Sequence, residues 1–286
     1  MIQGSKTIIA LGAAVAALAF AQSCHGQAGG DGSAALVEGM SGMWQISPRG
    51  PGPGGPPEGR EGFGSPPQGR LGPGAGGRGQ FGPPPDGPPG ARGAQLPGPD
   101  IEGLDEADRR IYSVMTEKGR AAFEAMDPHD LPANNCLSNG LPSLVGIPDV
   151  QEWSFGDGKL TIHYASFDTV RTIWLDGRAA EGRSTLLGHS VGRFSGGELV
   201  IATDHLTATP GGLARNAPGS AVRSYVERYH LSADGTQVSG LVTMHDPEYL
   251  TRDLSRPIAF ARAAEGTEIP EDVGCSVEAS QRYLDD

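Results

Sequence analysis

The chain has 286 residues, a formal net charge of -12, 45 glycines, 24 prolines and three cysteines. The acidity sits in residues 101–286, where 28 acidic side chains stand against 16 basic ones, and such a body argues against general nucleic-acid binding and against charge-driven docking on anionic lipid.

Lys6 and the apolar run from Ile8 to Phe20 are too short for a permanent membrane span and read as an export signal over residues 1–24. Ala19-Phe20-Ala21 suits cleavage before Gln22. Ala21-Gln22-Ser23-Cys24 is an imperfect lipoprotein pattern, because the usual Leu three positions before the cysteine is missing, so the motif alone favours simple cleavage. The cysteine count favours the anchor. Cys136 and Cys275 lie at opposite ends of the globular part, where a disulfide would tie its edges together and stabilise it by roughly 4–5 kcal/mol on the chain-entropy model. Cys24 is then left over, and lipidation accounts for it. The expectation is an exported protein, periplasmic or on the cell surface, that touches a membrane only through a lipid on Cys24.

Residues 25–47 read as a tether, with small residues from Gln27 to Ala34, followed by a short first strand. Residues 48–100 are almost wholly Pro, Gly, Arg and Gln, with GREGFGSPP echoed by GRGQFGPPP; they lack the apolar content for a core and read as a disordered, solvated spacer.

Residues 101–286 read as one helix plus a β-rich domain. Leu104, Ala107, Ile111, Met115, Ala122 and Met126 recur on one helical face, with Asp105, Glu106 and Asp108 in the first turn and Asp127-Pro128 as the stop. From Val150 onward short β-branched and aromatic runs alternate with turn residues. They predict a mainly β fold: an antiparallel meander of about eight strands, closed as a lipocalin-like barrel or packed as a sandwich, with the barrel favoured because neighbours can pair all the way round.

TEKGRAAFEAMDP, the run from Cys136 through Gly140-Leu141-Pro142, FDTVRTIWLDGR, LGHSVGRFSGGELVIAT, VERYHLSADGT and DPEYLTR together resemble an uncharacterised family of exported bacterial proteins, and Ser41-Gly42-Met43-Trp44 resembles its opening SGxW segment. The resemblance implies export, a β-rich body and a terminal cysteine matching Cys275, and no known reaction. Leu186-Leu187 and Ser195-Gly196-Gly197 depart from the family's Thr-Trp and Glu-Gly-Asp.

Gly42-Met43-Trp44 is a GxW of the kind that plugs one end of a lipocalin-like barrel, with Arg262 of the last strand placed to stack on Trp44; the plain alternative is an edge-strand tryptophan. A three-residue loop at Ser195–Gly197 sets His189 opposite Thr203 with His205 diagonal on the same face, within reach of a shared ligand or metal, whereas a two-residue loop moves the two histidines to opposite faces. His163, His230 and His245 also fall on strands, no HxH or HExxH spacing supports a metal site, and Asp127, His129 and Asp130 read as a polar turn. Tyr225, Glu227 and Tyr229 alternate on one strand face. If that face is inward, Glu227 needs a partner such as Arg171 or Arg193, and the pair would line a pocket; the ordinary outcome is a solvated outer face. GHSVG fits the serine-hydrolase elbow by letter, but RFSGGELVIAT allows no helix after it, so Ser190 belongs inside a strand.

The chain names no catalytic residue, metal or cofactor. The expected role is non-enzymatic binding of a small ligand or an envelope component; the alternatives are a hydrolase or isomerase with its site in the β body, and a structural protein acting through the Pro/Gly tract.

Overall fold

Alternating apolar residues along nine strands close a barrel in the computed structural model, which describes residues 30–47, 106–271, 274–282 and 284. The segment expected to be an export signal, Cys24 and the Pro/Gly tract lie outside the described residues. The barrel strands are β1 (Gly42–Ile46), β2 (Gln151–Gly156), β3 (Lys159–Tyr164), β4 (Thr169–Trp174), β5 (His189–Ser195), β6 (Glu198–Asp204), β9 (Ser224–Leu231), β10 (Gln237–His245) and β11 (Leu254–Arg262), in the order β1-β11-β10-β9-β6-β5-β4-β3-β2. The predicted barrel is therefore present, while the predicted pure meander is not. The long segment after Trp174 returns β5 parallel to β4, through Ile173↔Ser190 and Trp174↔Val191, and a hairpin of β7 (Thr209–Ala214) and β8 (Ala217–Gly219) interrupts β6 and β9.

Two local expectations change. Gly30–Met40, whose first residues read as tether, forms helix α1. The single predicted helix is two, α2 (Glu106–Ser113) and α3 (Glu117–Glu124), because the chain between them is drawn to a distant turn: Met115 bridges Leu250 and the Thr116 amide bonds to Tyr249 O at 2.9 Å. Thr116 then caps α3, accepting from the Gly119 amide at 3.0 Å. Gly119 is required there, since a Cβ would run into the backbone of Tyr249.

The lumen is packed. Trp44, Trp153, Tyr229 and Phe260 are each at most 1% exposed, with ring centroids 5.3 Å (Trp153–Tyr229) and 5.8 Å (Trp153–Phe260) apart. Each such aromatic contributes roughly 2–3 kcal/mol through burial. Gly240 lets the Tyr229 ring lie against β10, where a Cβ would overlap it.

One end is closed by nearby chain. Trp44 donates from Nε1 to Met40 O at 2.9 Å, and the Arg262 guanidinium lies 4.3 Å from the Trp44 ring while donating to Ser41 O and Gly39 O. Trp44 is thus the plug that the GxW suggested and not a solvated edge residue. The other end is capped by distant chain: Leu141 and Leu144, α2, α3 and the β7–β8 hairpin, with the Tyr225 hydroxyl meeting Leu141 O and Gly212 O. Cys136 and Cys275 form the disulfide, Cα atoms 5.6 Å apart across 139 residues, and so join this cap to α4 (Val277–Gln281). Among the described residues no helix is long and apolar enough to cross a membrane.

Candidate ligand site

The inward alternation of β9 buries Tyr225, Glu227 and Tyr229, correcting the solvated-face expectation. Register sets Ile201 opposite Glu227 and Thr203 opposite Tyr225, so the carboxylate projects into the lumen beside β4, where Arg171 answers it. Arg171 donates from Nη2 to Glu227 Oε1 at 2.5 Å and from Nη1 to Oε2 at 3.1 Å, a two-pronged contact with both side chains 1% exposed. Ser190 accepts from Nε at 3.2 Å, Thr203 accepts from Nη2 at 2.9 Å, and the Tyr229 hydroxyl donates to Glu227 at 2.6 Å. Burial pulls the guanidinium pKa down, but the adjacent carboxylate outweighs it and holds Arg171 above its ordinary value. Burial pushes the Tyr164 phenol up to about 12, against the opposing charge of Arg171, and raises Tyr229 well above its usual range, with Glu227 adding to the rise.

This cluster is fully satisfied and sealed. The expected pocket beside Glu227 is filled by its own partners, so the cluster specifies the core and offers no ligand a surface. Ser190 lies within β5, 1% exposed, and hydrogen-bonds to Arg171 and Thr203. A hydrolase elbow needs an exposed oxygen facing a histidine, and Ser190 has neither property.

His189 and His205 meet, though by a different route than expected. The β5–β6 loop has two residues, Gly196 and Gly197, so Ser195 pairs with Glu198 and His189 faces Asp204 instead of Thr203. His205 then leaves the strand with a left-handed φ of 54°, which swings its ring back to 6.3 Å from that of His189. His189 Nε2 lies 3.0 Å from Arg178 O, and His205 Nδ1 lies 2.7 Å from Asp204 Oδ1. His163 and His245 likewise each sit beside one exposed aspartate, Asp168 and Asp253. Among the described residues no group of three or more His, Cys, Asp or Glu side chains is arranged to hold a metal ion.

A concave feature lies outside the barrel among the described residues. A groove of about 280 Å³ runs between the end of α3 (Ala122, Ala125, Met126), the Asp127–Asp130 turn, the β7–β8 hairpin (Thr209, Pro210, Pro218, Gly219) and Tyr249. Asp127 builds its own turn: Oδ1 accepts from the His129 amide and lies at the same 2.9 Å from the His129 ring, and these two contacts hold its pKa below the usual carboxylate value. Asp246, 1% exposed, accepts from Ser220 N (2.8 Å), Ser220 Oγ (2.7 Å), Glu248 N (3.2 Å) and Tyr249 N (3.0 Å), and so pins Tyr249 and the hairpin end to each other. Arg223 packs its Cδ against Gly219 and donates to Ser220 O at 2.6 Å, Thr207 O at 2.5 Å and Tyr225 Oη at 2.9 Å. Two buried polar atoms next to Gly219 have no partner in the described structure: Thr209 Oγ1 and Arg223 Nη2.

Nothing in the hydrophobic pattern signals this groove, because its walls come from three separated segments. The one available hint was compositional: TPGGLARNAPGS, dense in Gly and Pro between two strong strands, is long for a plain hairpin connection. DPHD is a polar turn as read, and its two acids are also groove walls. No family model matches the chain, and no curated protein matches it.

Proposed function

We propose that the protein is a non-enzymatic binding component of the bacterial envelope, exported and displayed behind its Pro/Gly spacer, with the barrel serving as a rigid support and the groove beside α3 as the ligand site. The observation that carries this reading is the contrast between a lumen filled by side chains and a preformed depression of about 280 Å³ outside it, walled by α3, the Asp127–Asp130 turn, the β7–β8 hairpin and Tyr249. The resemblance of the GHSVGR, VERY and DPEYLTR segments to exported bacterial proteins fits the same setting.

Methyl NMR of the full chain against a set of small ligands tests it. Binding should shift the Ala122, Met126 and Thr209 resonances and disappear in Ala125→Trp, which fills the groove from the exposed C-cap position of α3; shifts confined to lumen residues, or none, would refute it. The anchor is tested separately: Cys24→Ala should move the protein from the membrane fraction to the soluble one, and a wild-type protein already soluble would sink that part.

A further inference from the structure

We infer that Arg256 is a binding site for a small organic carboxylate, set in a notch of the barrel wall and sharing no residue with the groove. Strand register places it. Arg256 pairs with Val242, between the pairs Leu254↔Met244 and Ile258↔Gly240, and Val242, Leu254, Met244 and Ile258 are each at most 6% exposed. Residues paired across antiparallel strands share a face, so Arg256 springs from the lumen face of β11. It is nevertheless exposed. The cause is the length of β1, which pairs with β11 only at Phe260, Ala261 and Arg262; from Leu254 to Ile258, among the described residues, β11 has a strand on its β10 side alone.

The guanidinium has a seat. It lies against Gly146, the last residue of the 3-10 turn Leu144–Gly146, so closely that a Cβ there would overlap Nη2 and come within 2.9 Å of Cζ. Gly146 has no left-handed φ that calls for glycine, so what its missing side chain provides is room for the fork. The fork has no counter-ion. Among the described residues no hydrogen bond or ion pair reaches Arg256, whereas Arg171 has Glu227 and Arg223 has carbonyls. Burial draws the Arg256 pKa below the ordinary arginine value, opposed by Tyr229 and by no carboxylate. A side chain both exposed and shielded by surrounding protein stands in a recess, where a charge is costly until an opposite one joins it. With one face resting on Gly146, the in-plane donors stay open to solvent, and their planar fork matches a carboxylate two oxygens at a time. The net charge of -12 opposes any approaching anion, and a doubly charged phosphate more than a singly charged carboxylate.

The test is calorimetry on the full chain with benzoate, its neutral planar counterpart benzamide, and inorganic phosphate, alongside NMR of the arginine side chains. Benzoate should bind at least about tenfold more tightly than benzamide, bind more tightly than phosphate, and shift the Arg256 Nε resonance. Arg256→Gln should abolish the preference for benzoate. Gly146→Ala, which displaces the fork and keeps its charge, should weaken benzoate by about threefold or more. Arg252→Gln, an exposed arginine just upstream, should leave benzoate binding unchanged. Benzoate binding that survives Arg256→Gln, or that falls as far in Arg252→Gln, overturns the site. So does the absence of benzoate binding, which leaves Arg256 as a side chain whose stem merely covers the wall. Tighter binding of phosphate than of benzoate overturns the carboxylate class, and shifts at Met126 without any at Arg256 assign the anion to the groove instead.

Discussion

Arg171 and Arg223 are both 1% exposed, yet the two guanidiniums are held in opposite ways. Arg171 has a carboxylate across its fork and hydroxyls at its remaining donors, in a lumen where every neighbour points inward by strand alternation. Arg223, at the capped end, has carbonyls and a phenol, no carboxylate within ion-pair distance among the described residues, and one nitrogen with no partner. Its charge is met indirectly, through Ser220, by Asp246. The core of a closed barrel can complete a polar network because nine strands surround it; a cap assembled from separated segments leaves donors and acceptors over. Of the three such atoms among the described residues, Ser143 Oγ lies in the Leu141–Leu144 segment, and Thr209 Oγ1 and Arg223 Nη2 lie next to Gly219.

The sharpest way to break this contrast is Glu227→Gln, which strands the Arg171 charge in the lumen and should cost about 3–5 kcal/mol in urea unfolding. A loss under about 1 kcal/mol would mean that the pair is not sealed as described. Alkaline pH comes next. Tyr164, Tyr225 and Tyr229 all have folded-state pKa values raised above 10.0, Tyr164 to about 12. Between pH 10 and 12 the unfolded chain gives up these protons while the folded one keeps them, so their stabilisation, complete below pH 10, drains away as pH rises. Tyr164 alone accounts for about 3 kcal/mol of that loss at about 1.4 kcal/mol per pKa unit. Tyrosinate absorbance should lag behind that of denatured protein over the same range, and normal titration of all six tyrosines would contradict the packed lumen.

Asp246→Asn probes the other arginine. It removes a buried acceptor of four donors without stranding a directly paired cation, so about 1–3 kcal/mol is expected, less than at Glu227. The smallest effects come from one substitution made twice. Thr203→Val deprives Arg171 and Ser190 of a partner and should cost about 1 kcal/mol or more, whereas Thr209→Val removes a hydroxyl that bonds to nothing and should be neutral or slightly stabilising. If Thr209→Val destabilises as much as Thr203→Val does, the Thr209 hydroxyl has a partner after all.

How much of this was legible in the chain varies with the distance over which each feature is decided. The barrel follows from strand alternation and short turns, both local: KLTIHY and QVSGLVTMH show in their own letters which residues turn inward. The Cys136–Cys275 bridge was readable as a pairing of special residues with few alternatives, whereas the GxW suited an ordinary edge-strand tryptophan better than a plug until the closed barrel placed Trp44 under Arg262. The Glu227 partner was narrowed to two arginines, because an inward carboxylate demands a cation, but β9 alternates equally well with either face inward, so its buried outcome was not. The turn between β5 and β6 shows the limit most plainly. Ser195, Gly196 and Gly197 suit a loop of two or three residues, and that one-residue difference changes what faces His189; the left-handed step at His205, invisible in the sequence, then restores the contact.

By itself, then, the sequence determined what local chemistry can enforce: an acidic β-rich body, strands that alternate apolar with polar residues, and the two cysteines that tie its ends. Only the tertiary structure decided that α2 and α3 break at Thr116, that β4 and β5 run parallel, and that α3, the DPHD turn, the β7–β8 hairpin and Tyr249 converge on one groove. The reason is physical. Strand alternation is written in adjacent residues, whereas a concave site depends on side chains separated by up to 127 positions, from Ala122 to Tyr249, that meet only after the barrel has formed and its cap has folded across it.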